Sequence, residues 1–481
     1  MIKGFVKNVS LLVLVNVLVK IVYVLGVEVG VQNHLGEKDY GLYFTLLNFV
    51  WLFQIISDFG LQNFTNSHVA AHPVLAQKYF PQILTLKALL SLAFAGMVLL
   101  VGTILGYTQS HPEILGLLIL NQILMSLIIY LRSNVTALGY FRQESIFSVL
   151  DKVLMICLLA PLLYGIVDGW SLKLDLSTFV LIQTISLSIS AVVTGTFVSL
   201  RLGKLRWRWS PVFLRYIWRQ SRWFALVMFL MMIYTRVDAV MIEQLHPRGT
   251  DEVGIYAACY RLLDVSNMPA FLVASLLIPL FAKHRKDANL SRRLWVMSFR
   301  SLLVIYLGAV LVVMMAASEI LKMLYDGWTS YWSDVFVFLF PSCLAWVVMY
   351  SSGAWMTATE RLKPQIALYV PGVLLNVALN YYLIPTHGAQ GAAMSTLATQ
   401  LAMGAGIQWM TKKRLAPAMD LDSVKRWMLL LFVCVGLVLL SSKLDYFWVY
   451  ECLGAILVYL LAVKILEIVD IQDWLQLKER I

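Results

Sequence analysis

The feature that most constrains this chain is the recurrence of apolar blocks, each about 20 residues long, separated by short polar connections. A helix rises about 1.5 Å per residue, so one such block crosses about 30 Å of hydrocarbon. Runs such as 11–31 and 302–317 show none of the alternation that a membrane β-barrel requires. Hydrophobic residues make up 60% of the 481 residues and charged residues only 14%. The sequence therefore predicts an all-α polytopic membrane protein.

Polar, glycine and proline clusters divide the chain into about fourteen predicted spans. The first six are 9–31, 41–66, 83–106, 114–138, 146–167 and 176–200. The next six are 223–243, 254–282, 295–324, 335–359, 364–385 and 388–410, and an extra pair lies at 427–442 and 447–468. We predict an N-terminal lobe at 1–200, a basic interfacial connector at 201–222, a C-terminal lobe at 223–411 and an additional helix pair at 425–470.

Lysine and arginine are concentrated in the connections on one side of these spans, in clusters at 201–222, 283–293, 412–414 and 425–426. The opposite side receives only Lys38, Lys173, Arg248 and Lys443. Because basic loops stay in the cytoplasm, we predict that both termini are cytoplasmic. Six spans return the chain to its starting side, so the two lobes are predicted to be parallel repeats about an axis normal to the membrane.

Two connections resemble each other. Residues 36–43 read Gly-Glu-Lys-Asp-Tyr-Gly-Leu-Tyr, and residues 249–256 read Gly-Thr-Asp-Glu-Val-Gly-Ile-Tyr. In both, two glycines five positions apart enclose two acids, and an apolar residue and tyrosine follow. The echo supports internal repetition. The other explanation is that short membrane loops often contain glycine, tyrosine and charge.

The formal net charge of +11 lies in the connections between spans. In the connector, arginines alternate with Trp207, Trp209 and Trp218. Indole rings sit at the level of lipid headgroups while cations meet lipid phosphate, so this pattern favours membrane lipids as a partner over nucleic acid.

Several cations fall inside the predicted spans, where each charge costs about 2.5–3.5 kcal/mol unless it faces protein or water. We predict that they line a polar interior and bind an anionic headgroup, because arginine in particular matches phosphate oxygens. The candidates are Lys20, Arg236, Arg261 and Lys152. The structural alternatives are a lysine held by an acid of a neighbouring helix, and pairing of Arg261 with Asp264 or of Lys152 with Asp151.

Acids and amides form two further sets. A desolvated carboxylate can change its charge during a transport cycle, so four acids are candidates for coupling to a proton or sodium gradient: Glu28, Asp58, Asp238 and Asp264. Three amides are predicted to line a cavity: Asn16, Asn376 and Asn380. For Asn376 and Asn380, hydrogen bonding between helices is an equal alternative. The sequence shows neither an ATP-binding phosphate loop nor a metal-site motif, so we predict no catalytic residue, metal or cofactor.

With these residues in view, the chain resembles the polysaccharide-unit flippases, of the O-antigen type, in the multidrug/oligosaccharidyl-lipid/polysaccharide exporter superfamily. The resemblance rests on Lys20 and on the segments 35–43, 58–61, 236–238 and 253–256. It implies export of a lipid-linked oligosaccharide across a bacterial inner membrane, with two lobes alternating around a cationic cavity. Lys20, Arg236 and Arg261 match the family's cationic pattern, and polysaccharide polymerase machinery is an implied partner.

Two alternatives stay open. A cation-coupled drug or metabolite antiporter of the same superfamily shares the twelve-helix core, although interior cations would repel a cationic drug. A membrane-embedded glycosyltransferase or polymerase is disfavoured because the predicted outward loops are only about ten residues long.

Overall fold

The chain folds almost entirely into helices. The computed structural model describes residues 16, 18–65, 76–165, 174–203, 210–284, 287–359, 362–415, 421–441 and 447–469. A π-helical turn, Tyr23–Glu28, leads into the first α-helix. In chain order the helices are α1 (Val29–Leu52), α2 (Gln54–Asp58), α3 (Leu61–Phe64), α4 (Ala76–Ile104), α5 (Tyr107–Ser110), α6 (Pro112–Ala137), α7 (Phe141–Phe147), α8 (Leu150–Leu163), α9 (Leu176–Leu202), α10 (Pro211–Leu245), α11 (Gly249–Lys283), α12 (Ala288–Leu324), α13 (Ser330–Leu339), α14 (Cys343–Ala358), α15 (Leu362–Leu415), α16 (Leu421–Ser441) and α17 (Trp448–Ile465).

Within the described residues, 11 helical segments are long and apolar enough to cross a membrane. The longest, 363–412, contains two of the predicted spans. They are separated where α15 loses helical geometry at Gly388, with φ 53° and ψ −129°. A residue with a side chain rarely adopts such a positive φ, so glycine permits the break. The predicted fold class, an all-α polytopic membrane protein, is confirmed.

The beginning of the chain departs from the predicted span limits. The predicted second span, 41–66, lies in a helix that starts directly after Gly36, whose φ of 79° interrupts α1. This helix ends at Phe53, and a left-handed turn at Phe59 and Gly60 then separates α2 from α3. Hydropathy does not detect these breaks because the interrupting residues are themselves apolar or small. Residues 9–15 of the first predicted span lie outside the described part of the chain.

The connector also differs from the prediction in its boundary. Residues 204–209 lie outside the described part, but α10 runs without a break from Pro211 to Leu245. No glycine or further proline interrupts this stretch, so the end of the connector and the seventh predicted span form one helix. Trp218 is 56% exposed on it, as an interfacial side chain would be.

The chain forms two compact units, Met1–Ala257 and Ala258–Ile481. In the first, α6 packs along α9, and α1 along α10. Asp175 caps α9 by accepting a 2.8 Å hydrogen bond from the Thr178 N–H, which holds the pKa of this carboxyl below its ordinary value. In the second unit, the extra pair α16 and α17 packs on α12 through a cluster that includes Leu311, Leu430 and Tyr459. The predicted division into six-helix lobes stays a prediction.

Candidate functional site

A group of basic side chains gathers in the first unit, around the beginning of the chain. Lys20 lies close enough to Lys152, Arg132 and Asp151 to interact with each electrostatically. The Lys152 Nζ atom is 3.4 Å from an oxygen of Asp151 and 4.4 Å from the centre of the Tyr23 ring. Two predicted headgroup ligands, Lys20 and Lys152, are therefore neighbours. The interaction of Lys152 with Asp151 was the structural alternative, and it is present as well.

Hydrogen bonds between helices hold the surroundings of these cations. The side-chain amide of Asn16, on the turn before Lys20, donates a 2.7 Å hydrogen bond to the Ser148 hydroxyl next to α8. Arg132 donates from Nε and a terminal nitrogen to one oxygen of Glu144, at 3.0 and 2.6 Å. We call Lys20, Arg132 and Lys152, with Asp151 and Glu144, the basic cluster. Three cations face two carboxylates, so the formal charge of the cluster is one positive unit.

Glu28 is the last residue of the π-helical turn and is 6% exposed. Single π-helical turns are frequent at functional sites. Tyr23, at the start of the same turn, supplies the ring beneath Lys152. The turn therefore shapes one wall of the basic cluster, and a role of Glu28 in ion coupling stays a prediction.

Arg236 and Asp238 are held separately, as expected for residues two positions apart on a helix. The Arg236 guanidinium lies 4.6 Å from the centre of the Trp51 ring. Asp238 is 1% exposed and accepts a 2.8 Å hydrogen bond from the Tyr256 hydroxyl. The resembling connections 36–43 and 249–256 are called the echo segments below. Tyr256 is the final residue of the second one, so this segment is hydrogen-bonded directly to Asp238, one of the candidate coupling acids.

The remaining predicted residues belong to the second unit. Arg261 is 8% exposed, and Asp264 interacts electrostatically with Tyr350. Arg236 and Arg261 belong to different units, and the predicted role of both as headgroup ligands stays a prediction. Asn376 and Asn380 are both fully buried, and the Asn380 amide donates to the Asn376 side-chain oxygen at 3.3 Å.

The backbone of Asn376 contacts the other part of α15. Its carbonyl accepts a 3.2 Å hydrogen bond from the Ser395 hydroxyl, which lies beyond the break at Gly388. This bond does not involve the Asn376 side chain, so it does not choose between helix joining and cavity lining for the two amides. A cavity-lining role for the two asparagines stays a prediction.

Sequence reasoning missed Lys87. This lysine is 2% exposed within α4, and its ammonium is 3.0 Å from Asp58, a candidate coupling acid. Apolar residues flank Lys87 on both sides, and the same pattern identified Lys20 as a candidate. It was missed because Lys87 lies four residues inside the predicted span 83–106, where lysines usually extend to the interface.

The two echo segments touch each other, and the contact is reciprocal. A Cβ atom at Gly41 would overlap the carbonyl oxygen of Thr250, and one at Gly254 would overlap the carbonyl oxygen of Glu37. Glu37 and Thr250 occupy the same position in the two segments, as do the two glycines. The carbonyl of Gly254 also accepts a 2.9 Å hydrogen bond from the Gln32 side chain. Repetition in sequence is thus matched by a pseudo-symmetric contact in the fold.

Acidic groups surround this contact. Burial raises the pKa of Glu37, and the nearby Asp251 and Glu252 raise it further, while Arg248 opposes them. Arg248 also forms an ion pair with Glu252, four residues later on α11. The contact therefore combines close backbone packing with one carboxyl group, that of Glu37, whose pKa is raised.

Comparison with known proteins supplies the family context. A family model described as "Polysaccharide biosynthesis protein" matches residues 5–284, more than half of the chain. No curated protein sequence matches. The lipid II flippase MurJ, in an inward closed conformation, is similar with a TM-score of 0.70 at 13% identity, over 96% of this chain and 98% of that one.

Two further solved structures share the fold. An inward-facing multidrug resistance MATE family transporter of the MOP superfamily has a TM-score of 0.65 at 12% identity, covering 84% of this chain and 98% of its own. A MOP superfamily transporter from Pyrococcus furiosus, described by the reverse polarity of its binding pocket, has a TM-score of 0.59 at 12% identity, covering 85% and 95%. At such identities the likeness establishes the fold, and the site must be judged by its own residues.

Proposed function

Because the chain belongs to the polysaccharide biosynthesis protein family, we propose that it moves a prenyl-pyrophosphate-linked oligosaccharide across a bacterial inner membrane. The fold is shared with a protein named a lipid II flippase, which supports movement of a lipid-linked substrate. We further propose that two lobes alternate in access around a polar interior, with both termini in the cytoplasm and polysaccharide polymerase machinery as a partner.

The observation that carries this proposal is the excess of basic over acidic side chains in the basic cluster. Lys20 and Lys152 are neighbours, and Arg132 is oriented beside them by Glu144. A pyrophosphate presents several anionic oxygens, and cations already gathered by packing require little rearrangement to bind it. Lys152 is flanked by Asp151, so a phosphate would compete with this carboxylate for the ammonium. The prenyl tail stays in lipid, where its apolar surface belongs.

The antiporter alternative depends on acids that could bind a cationic drug. Two candidate acids of the first unit already have partners, since Asp58 pairs with Lys87 and Asp238 accepts from Tyr256. An acid already paired or hydrogen-bonded attracts a cationic solute less strongly than an open one. The charges of the first unit therefore favour an anionic substrate over a cationic drug.

The test is transbilayer movement of a prenyl-pyrophosphate oligosaccharide in liposomes that contain the purified protein. A hydrogen bond to a charged group contributes about 1.5–3 kcal/mol. Removal of a phosphate ligand by Lys20→Ala or Lys152→Ala should therefore lower substrate affinity about tenfold or more. Binding is measured by titration with the same lipid in detergent, and movement by its loss from the inner leaflet.

A matched control is Lys322→Ala, because Lys322 is an exposed lysine in the last turn of α12. This variant should bind and move the lipid as the wild type does. Wild-type affinity and rate in both Lys20→Ala and Lys152→Ala would refute the phosphate role. The antiporter would be established instead if the wild-type protein moves no lipid-linked sugar but moves a cationic dye when a proton gradient drives the exchange.

A further inference from the structure

The first part of α10 extends beyond the membrane. The helix runs from Pro211 to Leu245, whereas the candidate membrane span within it begins only at Arg222. Residues 211–221 therefore continue the helix out of the hydrocarbon, on the side that we predict to be cytoplasmic. This extension is about 16 Å long at 1.5 Å per residue, and the headgroup layer is only about 5–8 Å thick. The extension thus crosses the whole headgroup layer.

Three arginines form a stripe along this extension. Arg215, Arg219 and Arg222 are all exposed. They follow one another at four and three positions, so they lie within about 60° of each other around the helix axis. Ile217, on the opposite side, is 1% exposed and packs in a cluster with Leu61 of α3 and other residues of the first unit. The buried isoleucine fixes the rotation of the helix, and the arginine stripe therefore faces away from the protein.

The stripe lies at the depth of lipid headgroups. Arg222 is the first residue of the candidate span. Arg219 lies about 4.5 Å further out along the axis, and Arg215 about 10 Å further out. Arg222 and Arg219 are therefore level with the phosphate groups of the lipids, and Arg215 is at the outer edge of this layer.

Two exposed tryptophans flank the stripe. Trp218 and Trp223 are 56% and 39% exposed, and they lie on the two sides of the arginines around the helix. The Trp218 ring stacks on the Phe59 ring at 4.7 Å, with only 8° between the planes. The Arg222 guanidinium lies 5.2 Å from the centre of the Trp223 ring, which helps to order it. Indole rings favour the headgroup level, so the aromatic side chains support the same depth.

The stripe has no counter-charge of its own among the described residues. In that part of the chain, no carboxylate lies within ion-pair distance of Arg215, Arg219 or Arg222, whereas Arg132 and Arg248 each pair with a glutamate. An anionic lipid beside the helix would supply the missing negative charge at a fixed depth. Each basic residue near an anionic leaflet strengthens such an attraction, and a guanidinium matches phosphate oxygens in geometry.

We propose that Arg219 and Arg222, with Arg215 at the outer edge, bind the headgroup of an anionic phospholipid of the cytoplasmic leaflet. The acyl chains of this lipid lie along the apolar surface of the span that begins at Arg222. Through the stacking of Trp218 on Phe59, the bound lipid holds the inner end of α10 against the turn between α2 and α3. This lipid belongs to the membrane and is not transported, so the proposal does not rest on the proposed function.

The test measures lipid binding without any transport substrate. Delipidated protein in detergent receives phosphatidylglycerol or phosphatidylcholine with the same acyl chains, and bound lipids are counted by native mass spectrometry. We expect phosphatidylglycerol to bind more tightly, to raise the melting temperature further, and to bind less tightly as salt is added. Inorganic phosphate at the same concentration should not displace it, because phosphate alone has no acyl chains to pack on the helix.

A matched pair of double variants tests the position of the site. Arg219→Gln with Arg222→Gln removes two charges but keeps long polar side chains. This change should weaken phosphatidylglycerol binding about 25-fold, about fivefold for each arginine, and leave phosphatidylcholine binding unchanged. The control is Arg292→Gln with Arg293→Gln, which removes two exposed arginines near the start of α12, on the same predicted side of the membrane. It should retain wild-type binding.

Each contrary outcome identifies a different error. The proposal is overturned if the wild-type protein binds phosphatidylglycerol no more tightly than phosphatidylcholine, a measurement that requires no variant. Equal losses in the two double variants would show a general attraction to basic surfaces, without a site on α10. Displacement by inorganic phosphate would show a free-phosphate site. Failure of the protein to move lipid-linked sugar would refute the proposed function and leave these binding results unchanged.

Discussion

The reciprocal contact of the echo segments leads to a quantitative prediction. Gly41→Ala and Gly254→Ala each place a methyl group against a backbone carbonyl oxygen, that of Thr250 or of Glu37. A carbonyl on a helix cannot move aside as a flexible side chain can, so α1 and α11 must separate locally. Overpacking of this kind costs about 1–3 kcal/mol. Replacing glycine by alanine within a helix returns about 0.5–1 kcal/mol.

Because both methyl groups meet backbone rather than flexible side-chain atoms, we expect the upper part of this cost, which leaves a net loss of stability of about 1–2.5 kcal/mol for each variant. The control is Gly116→Ala in α6, because a Cβ atom there meets no atom within 4 Å. This variant should be neutral or slightly more stable than the wild type. The measurement is unfolding by denaturant in detergent micelles, followed by tryptophan fluorescence.

The double variant tests whether the two glycines serve one contact. Once the first methyl group has separated the helices, the second finds the space already open. The loss in the double variant should therefore be smaller than the sum of the single losses, as for residues that share an interface. Gly41→Ala and Gly254→Ala variants as stable as Gly116→Ala would refute the close approach of the two segments.

Two further predictions concern groups beside this contact. The folded-state pKa of Glu37 is raised above its ordinary 4.5, so its stabilising effect is full below pH 4.5 and is lost as the pH rises through the folded-state pKa. Glu37→Gln should therefore flatten the dependence of stability on pH above 4.5, and an unchanged slope would contradict this. Tyr256→Phe removes a hydrogen bond to the buried Asp238 and should cost about 1.5–3 kcal/mol in the same assay; a loss below about 0.5 kcal/mol would show that Asp238 does not depend on the tyrosine.

Several features of the fold followed from the sequence because they depend on neighbours along the chain. The apolar blocks gave the fold class, since hydrophobic length alone decides whether a helix can cross a membrane. The echo of 36–43 with 249–256 was visible as a pattern of residue types, and Lys20 was visible as a charge inside an apolar run. Each of these inferences needs only the order of residues and the dimensions of a helix.

Span limits were less predictable, and the reason is conformational. Phe59 adopts a positive φ although it carries a large side chain, and its ring stacks on Trp218 from another helix. The break at Gly388 leaves hydropathy unchanged, and so do the breaks at Gly36 and Gly60. A backbone turn whose support comes from a distant residue leaves little trace in the local sequence.

The chain by itself determined which segments are helical and which charges lie inside them; only the tertiary structure decided which charges meet. Lys87 and Asp58 are 29 residues apart, and Lys20 approaches Lys152 across more than a hundred residues. Both meetings depend on how each helix is rotated and where it crosses its neighbours, which side-chain packing sets and periodicity does not specify. The same packing brings Gly41 and Gly254 together, so the two similar sequence segments, 36–43 and 249–256, are also in contact in the structure.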